Sequence, residues 1–385
     1  MVFITTFLQD LAGGGAERVA VTLLNAFALE HDVTLLLARQ EGPYLADLSP
    51  RIRLVATGAS STAGSIPFLT AWLRKKRPDV LLTHLTHVNV AAAIAARLAG
   101  TSTAHVAVEH NQMGLNYSRM ARHSVRVAYR AAHWLYPGVG ALVCVSQGVS
   151  DSIRAFAHIP GDNIRVIANP VVTPDLRRRS QEEPAHPWLK DGGPPVVLGC
   201  GRLVEQKDFG TLIEAFRLLL QRRPARLVIL GEGVEREALE KQVAASGLED
   251  VVSLPGFDRN PYAAMRAARL FVLSSRWEGL PTVLIEALAA GVNVVATDCP
   301  SGPAEILEKG VGRLVPVGAP DQLAYAMDAA LAAPLDKSVL ARRAEEYSLE
   351  RSVKCYEALF EELALRKVRK GQSSAARTST DALYR

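Results

Sequence analysis

The sequence predicts an α/β protein with two parallel-sheet domains, on three observations. Short apolar runs recur between helical or loop intervals in both halves, a proline-rich charged stretch separates the halves, and the apolar content is aliphatic. With 49% hydrophobic but only 6% aromatic residues, the interior should consist of Ala, Leu and Val, as in parallel sheets buried on both faces. The 385 residues suffice for two or three domains of roughly 100–200 residues each.

In the first half, strand-like runs at 2–7, 33–38, 52–55, 80–83, 104–108, 141–145 and 164–167 alternate with helical or loop intervals. The functional edge of such a sheet is the carboxyl ends of its strands. From 170 to 195 the periodicity is lost, and Pro170, Pro174, Pro184, Pro187, Pro194 and Pro195 stand among charges, which marks a domain boundary. The first domain is placed at 1–172 and the second at 190–338. A Ser-, Thr- and Lys/Arg-rich end, 366–385, is expected to be disordered.

Charge and cysteine usage narrow the class. Cys144, Cys200, Cys299 and Cys355 are scattered with no C-x-x-C spacing, which favours reduced thiols in a cytosol over disulfides or a zinc site. No apolar run of about 18 residues occurs, and the N-terminus opens directly into a strand-like segment. Neither a signal peptide nor a transmembrane helix is therefore expected. The net charge of +5 is either ordinary surface charge or an attraction to anionic phosphates or membranes, depending on whether it is clustered.

The stretch 274–300, SSRWEGLPTVLIEALAAGVNVVATDCP, carries the most chemistry. Residues 270–274 read as a buried strand, 277–280 as a turn, Pro281 as the first helical position, 282–290 as a helix stopped at Gly291, and 294–297 as the next strand. Such a unit binds ligands where its helix begins. The free amides of Thr282, Val283 and Leu284, with the positive end of the helix dipole, suit phosphate. Glu278 precedes these amides and Glu286 lies just over a turn inside the helix, so the two carboxylates should serve different parts of one ligand. A carboxylate accepting two hydroxyl hydrogen bonds can hold a ribose or hexose diol. The competing reading is a buried α/β crossover with two incidental acids.

The text EGLPTVLIEALAAGVNVVATD resembles the Glu-x7-Glu signature of retaining GT-B glycosyltransferases, in particular the sugar-nucleotide enzymes of family 4. The resemblance implies an α/β GT-B fold, two Rossmann-like domains facing a central cleft, with the helical stretch 339–365 crossing back to the first domain. It implies that Glu278 holds the sugar, that Glu286 holds the ribose, and that Gly279, Leu280, Pro281, Thr282 and Val283 line the donor site.

A strand at 196–200 ends in Gly201, Arg202 and Leu203, with Lys207 before a helix at 210–220. Two cations at a strand-to-helix connection are what a diphosphate needs, an Arg fork and a Lys point charge. GRLVEQKDFGTLIEAF is similar to the family's diphosphate-binding loop, and both cations could also stabilise charge on the leaving nucleoside diphosphate. Lys207 could instead be a solvated residue near a helix start. The turn at Gly231, Glu232 and Gly233 resembles a loop lining the nucleotide pocket, and LPGFDRN, with Gly256 and Phe257, one where the base stacks. No Asp-x-Asp triplet occurs, so no metal ion or other cofactor is expected, with Arg202, Lys207 and the helix amides in place of a cation.

In the first half, GGGAERV (Gly13, Gly14 and Gly15 opening a helix) is similar to the family's glycine-rich loop; a tight turn without a ligand fits the residues equally. His84 and His87 follow one strand, and Glu109, His110 and Asn111 another. His110 is the better candidate, because relatives place a polar residue there against the transferred sugar. VSQGV and Asn169–Pro170 also resemble family 4, but the nearest following aspartate is Asp175, so that segment is assigned no chemistry.

Arg119, Arg122, Arg126 and Arg130 recur at three- and four-residue intervals within 113–139, with Met120, Val127, Trp134, Leu135 and Tyr136 as apolar and interfacial residues. Such a helix can lie on an anionic membrane, or its arginines can pair with acids. Trp72 with Arg74, Lys75, Lys76 and Arg77 makes a second basic patch, which tilts the reading toward a membrane-borne acceptor.

The favoured reading is a retaining glycosyltransferase acting on a nucleoside-diphosphate sugar, a UDP-hexose or UDP-N-acetylhexosamine, with a polyprenyl-diphosphate-linked or polysaccharide acceptor in bacterial surface glycan synthesis. It would be cytoplasmic, with peripheral contact to the inner membrane face. A GT-B epimerase or phosphorylase and a non-catalytic partner subunit are the alternatives; nucleic-acid binding is disfavoured by sparse aromatic stacking sites.

Overall fold

The structure, a computed structural model, describes residues 1–12, 14–112, 123–157 and 163–383. It divides into two compact units: Met1–Val145 with Val149–Pro170 and Glu350–Arg385, and Ser146–Gly148 with Val171–Leu349.

The sheet of the first unit contains β1 (Phe3–Leu8), β2 (Asp32–Leu37), β3 (Arg53–Ala56), β4 (Val80–His84), β5 (Ala104–Glu109), β6 (Ala141–Cys144) and β7 (Ile164–Val166). All pair in parallel in the order β3-β2-β1-β4-β5-β6-β7. Each strand falls within a residue of its expected run; β1, β4, β5 and β6 are buried along nearly their whole length, and a strand covered on both faces leaves a near-continuous apolar signal. The covering helices are α1 (Gly15–Phe27), α2 (Ile66–Lys76), α3 (Thr86–Ala99), α4 (His123–Leu135) and α5 (Gln147–Ala157). The core joins Phe7, Leu36 and Leu81 of the strands to Leu69 and Leu73 of α2 and to Val88, Ala92 and Ala95 of α3. Alanines on α3 bring its backbone close to the sheet.

The second unit repeats the plan. Its strands β8 (Val196–Cys200), β9 (Arg226–Leu230), β10 (Val252–Gly256), β11 (Leu270–Leu273), β12 (Asn293–Thr297) and β13 (Arg313–Val315) run parallel in the order β10-β9-β8-β11-β12-β13. Its helices are α6 (Pro174–Arg179), α7 (Phe209–Leu220), α8 (Arg236–Ala245), α9 (Pro261–Ala267), α10 (Thr282–Ala290), α11 (Pro303–Ile306), α12 (Pro320–Ala332) and α13 (Lys337–Glu345). The boundary segment is not wholly irregular: α6 forms there, with Thr173 Oγ1 accepting from the Leu176 amide at 3.1 Å as its N-cap. In each sheet the strand order reverses beside the first strand, between β1 and β4 and between β8 and β11, where the loops diverge and leave a ligand site.

The C-terminal part departs from expectation twice. The stretch 339–365 is not one helix: α13 belongs to the second unit, and α14 (Leu349–Leu383) joins the first from Glu350 on. The break falls where the Tyr347 carbonyl accepts the amides of Val171 and Val172, both at 3.0 Å, and so leaves the helical ladder. The segment expected to be disordered continues α14 to Leu383, through residues that include no proline. Within the first unit, α14 sets Tyr356 and Phe360 against Phe27, with centroids 5.9 and 5.5 Å away. No helix among the described residues is long and apolar enough to cross a membrane.

Candidate active site

In the second unit two loops flank the strand-order reversal, one after β8 (201–208) and one after β11 (274–281). They are joined along their length. The Arg276 amide donates to the Gln206 carbonyl at 2.8 Å, Gln206 Nε2 to the Trp277 carbonyl at 2.9 Å, Ser274 Oγ to the Lys207 carbonyl at 2.8 Å, and Arg276 Nε to Asp208 Oδ2 at 3.0 Å. Asp208 sits at φ 49° as the N-cap of α7, a left-handed conformation that Asp tolerates better than most residues.

This bracing brings Lys207 and Glu278 together. Lys207 Nζ lies 2.6 Å from Glu278 Oε1, which also accepts from Ser275 Oγ at 2.6 Å. Oε2 of Glu278 has no hydrogen bond among the described residues, so half of the carboxylate is left for a ligand. Burial, and next the Glu278 charge, push the nearby Cys299 thiol up to about 12, so it is neutral at pH 7. The Arg202 side chain is exposed and has no ion pair among the described residues.

The helix start differs slightly from expectation. Pro281 is the N-cap of α10 and not its first residue, and no side chain caps it. The Leu284 amide already donates to the Pro281 carbonyl at 3.0 Å. The amides of Thr282 and Val283 have no backbone partner among the described residues and remain for an anion. Glu286 lies inside α10, 2% exposed.

The glycine turns beside this edge are sterically required. Gly231 stands at φ 141°, and a Cβ there would come within 1.9 Å of the Gly201 carbonyl oxygen. Gly231 therefore lets the β9 turn lie against the basic loop, where the Leu203 amide donates to the Glu232 carbonyl at 2.8 Å. Arg236 ties this turn to β10, bonding Glu232, the Gly231 carbonyl and the Leu254 carbonyl. Gly256 stands at φ 96°, and Phe257 beyond it is 75% exposed, an open aromatic face.

The first unit holds a separate cluster at the ends of β4 and β5. His84, fully buried, and His110 share a hydrogen bond, Nδ1 to Nε2 at 2.9 Å. Burial first and the neighbouring ring second hold His84 well below the usual imidazole range, and burial lowers His110 to about 4. Next to His110, Glu109 accepts from Thr86 and Asn89, each at 2.9 Å, and from the Tyr136 hydroxyl. Burial raises Glu109 to about 7 against the lowering effect of these donors. Asn89 accepts in turn from Thr83, which contacts His105 Nε2 at 2.8 Å. Leu85, between His84 and α3, adopts φ 75°, a strain of about 1–3 kcal/mol that the surrounding hydrogen bonds hold.

Gly14 and Gly15 begin α1, Gly14 as an N-cap without a side-chain cap; Gly13 lies outside the described residues. Arg119 and Arg122 also lie outside them. Arg126 and Arg130 are exposed on α4, beside Val127 at 55% and Trp134 at 78% exposure. Tyr136 is not interfacial as expected. It is fully buried, because its hydroxyl has a partner inside in Glu109. Sequence reasoning did not single out Ser275, Asp208, Arg276, Asn89 or Tyr136 as partners; for the first three their positions in the glycosyltransferase-like motifs were the available signal, whereas Asn89 and Tyr136 lie 20 and 27 positions from Glu109 and carried none.

Two doubly wound sheets, the second with a basic loop, open helix amides and a half-free carboxylate at its reversal, constitute a GT-B protein. The glycosyl transferases group 1 family matches residues 180–350 and glycosyltransferase family 4 matches residues 13–174. The N-acetylgalactosamine-N,N'-diacetylbacillosaminyl-diphospho-undecaprenol 4-alpha-N-acetylgalactosaminyltransferase of Campylobacter jejuni is 30% identical over 78% of this chain and 82% of its own. The lipopolysaccharide core biosynthesis glycosyltransferase LpsE of Rhizobium meliloti is 27% identical over 86% and 89%. Among solved structures, Anabaena Alr3699/HepE in complex with UDP superposes with a TM-score of 0.75 at 19% identity, over 94% of this chain and 100% of that one. The chain belongs to the GT-B glycosyltransferases that combine a family 4 and a group 1 region. It is a transferase enzyme.

Proposed function

We propose that the enzyme transfers a sugar, with retention of anomeric configuration, from a UDP-hexose or UDP-N-acetylhexosamine to a lipid-linked or polysaccharide acceptor in bacterial surface glycan synthesis. The Lys207–Glu278 contact at the reversal of the second sheet carries this reading, because it sets a phosphate-seeking cation beside a sugar-seeking carboxylate. Arg202 and Lys207 take the diphosphate with the amides of Thr282 and Val283, in place of a metal ion. Glu278 Oε2 accepts from sugar hydroxyls, Glu286 holds the ribose, and Phe257 stacks on the base. His110 hydrogen-bonds a sugar hydroxyl.

In the reaction, the bond from the anomeric carbon to the diphosphate oxygen breaks, and the acceptor oxygen bonds that carbon from the same face. The acceptor proton passes to the departing phosphate, whose charge Arg202 and Lys207 stabilise. The activities for which the Campylobacter and Rhizobium relatives are named support the acceptor class, and the UDP in the Anabaena structure supports the donor. The exposed Trp134, Val127, Arg126 and Arg130 of α4 support peripheral contact with an anionic cytoplasmic membrane face.

A screen of UDP-, GDP- and ADP-sugars for hydrolysis, and for transfer onto membrane lipid extract, tests the proposal. An α-linked product from a UDP-sugar, lost in Lys207→Ala, is the expected result. Release of an epimer or a sugar phosphate would overturn it in favour of an epimerase or phosphorylase. Absence of donor binding would indicate a non-catalytic subunit.

A further inference from the structure

We infer that His84 is a positioning residue for His110: it holds Nε2 of that ring, fixes one tautomer and one ring orientation, and leaves Nδ1 as the atom that meets substrate. The inference rests on the proposal that His110 contacts a sugar hydroxyl, and supplies the geometry by which it would do so.

The two rings approach edge to edge through nitrogen, Nδ1 of His84 to Nε2 of His110 at 2.9 Å, with centroids 5.2 Å apart and planes 29° from parallel. His84 is the last residue of β4, paired with Val108 of the neighbouring strand, and His110 follows two residues after that partner. The backbone keeps this register past the strand end: the Leu85 amide donates to the Val108 carbonyl at 3.1 Å while Leu85 itself turns to φ 75° to start α3. An unstrained residue there would not need the left-handed side of the map, so the strand end is held by its surroundings.

Both rings are neutral near pH 7, since burial depresses them. Two neutral imidazoles carry two protons on four nitrogens, and the short contact needs one proton in it. A buried N–H without an acceptor is rarer than a bare ring nitrogen, so the outer Nε2 of His84 is the unprotonated one, His84 Nδ1–H donates to His110 Nε2, and His110 carries its proton on Nδ1. The outer nitrogen of His84, Nε2, is buried and has no hydrogen-bond partner among the described residues. His84 thus has one polar connection in the described structure, and that connection is His110. A histidine kept only for packing could be any apolar residue of similar size; one that bonds a single neighbour at a strand end orients that neighbour.

The test uses the full chain. Long-range proton–nitrogen NMR of histidine-labelled enzyme at pH 7, with His110 assigned by comparison with His110→Gln, reads the tautomer directly. One tautomer of His110 is expected in the wild type, and a mixture in His84→Phe, which keeps a planar aromatic ring and removes the bond. A tautomer mixture already present in the wild type overturns the inference, with no His84 variant needing to fold. In sugar transfer, His84→Phe should lower kcat/KM about 10-fold, whereas His84→Asn, whose amide can occupy the Nδ1 position as donor or acceptor, should stay within about 3-fold. Equal kcat/KM for His84→Phe and wild type, alongside a loss in His110→Gln, would overturn the positioning role and leave the His110 contact standing. Unchanged transfer in His110→Gln would instead overturn the His110 contact, while the tautomer measurement still decides whether His84 locks the ring.

Discussion

Lys207 Nζ lies 2.6 Å from Glu278 Oε1, and the two side chains are only 14% and 8% exposed. Taking one partner away leaves the other desolvated without its counter-charge, a loss larger than the pair's net contribution. Lys207→Met and Glu278→Gln should each destabilise the second unit by about 2 kcal/mol, short of the fully buried limit because Lys207 keeps some solvent. The double variant should recover part of that loss, with a coupling of about 1 kcal/mol or more in urea unfolding. Additive losses would show that the contact carries no coupling.

Arg202 provides the contrast, since it is exposed and without an ion pair among the described residues. Arg202→Ala should leave the midpoint of unfolding nearly unchanged, within about 0.5 kcal/mol. It should nevertheless lower kcat/KM for transfer by about 100-fold, because in the proposed reaction its interaction forms with charge on the leaving diphosphate. Arg202→Lys should restore only part, since a point charge cannot make the forked contact. Steady-state kinetics of the three proteins check this, and full activity in Arg202→Ala would remove it from the donor site.

Glu286 is separated from Glu278 by the helix start and should act on a different part of the donor. Glu286→Ala is expected to raise donor KM about 10-fold, the loss of a pair of hydroxyl hydrogen bonds to a carboxylate, with a smaller effect on kcat. Unchanged donor affinity, measured by titration calorimetry with the nucleoside diphosphate alone, would discard the ribose role.

The sheets were legible because their strands are largely apolar runs, and the place of Arg202 and Lys207 between a strand and a helix because they follow such a run. β13 escaped notice: it has three residues, Arg313 and Leu314 being exposed, so it carries almost no hydrophobic signal. The joining of the loops after β8 and β11 was also unreadable, since Lys207 and Glu278 are 71 positions apart and Asp208 and Arg276 are 68 apart. Spacing within one motif says nothing about pairing with another. Tyr136 was misplaced for a related reason. An amphipathic pattern assigns a tyrosine near a helix end to the surface, and only the fold brings Glu109 within reach of its hydroxyl.

Gly231 tests whether the turn after β9 supports the basic loop. A methyl group there would overlap the Gly201 carbonyl at 1.9 Å, a backbone atom that cannot swing aside, and φ 141° is itself unfavourable for alanine. Gly231→Ala should cost about 3 kcal/mol or more. It should also weaken nucleoside diphosphate binding, because relief of the clash moves Gly201 and the residues behind it. A melting temperature equal to wild type would mean that the turn relaxes independently of the loop.

Glu109 protonates at about 7 in the folded protein, against an ordinary value of 4.5. Between these values the folded state holds a proton that the unfolded chain has lost. The destabilisation from Glu109 is therefore absent below pH 4.5, grows as pH rises to 7, and reaches at most about 3 kcal/mol above it. His105 and His110 act oppositely. Lowered to about 3 and about 4, they contribute stability that is full above the ordinary 6.5 and is lost as pH falls toward those values. In the wild type the histidines dominate on the acid side, so Glu109 must be isolated by substitution. Glu109→Gln fits the same contacts: its carbonyl oxygen can accept from Asn89 and Tyr136, both of which bond Oε1, while its amide donates to the Thr86 hydroxyl now opposite Oε2. The variant should match wild-type stability near pH 5 and exceed it by about 2 kcal/mol at pH 8, in urea unfolding of the first unit. A difference between the two proteins that does not change with pH would show that Glu109 titrates normally despite its burial.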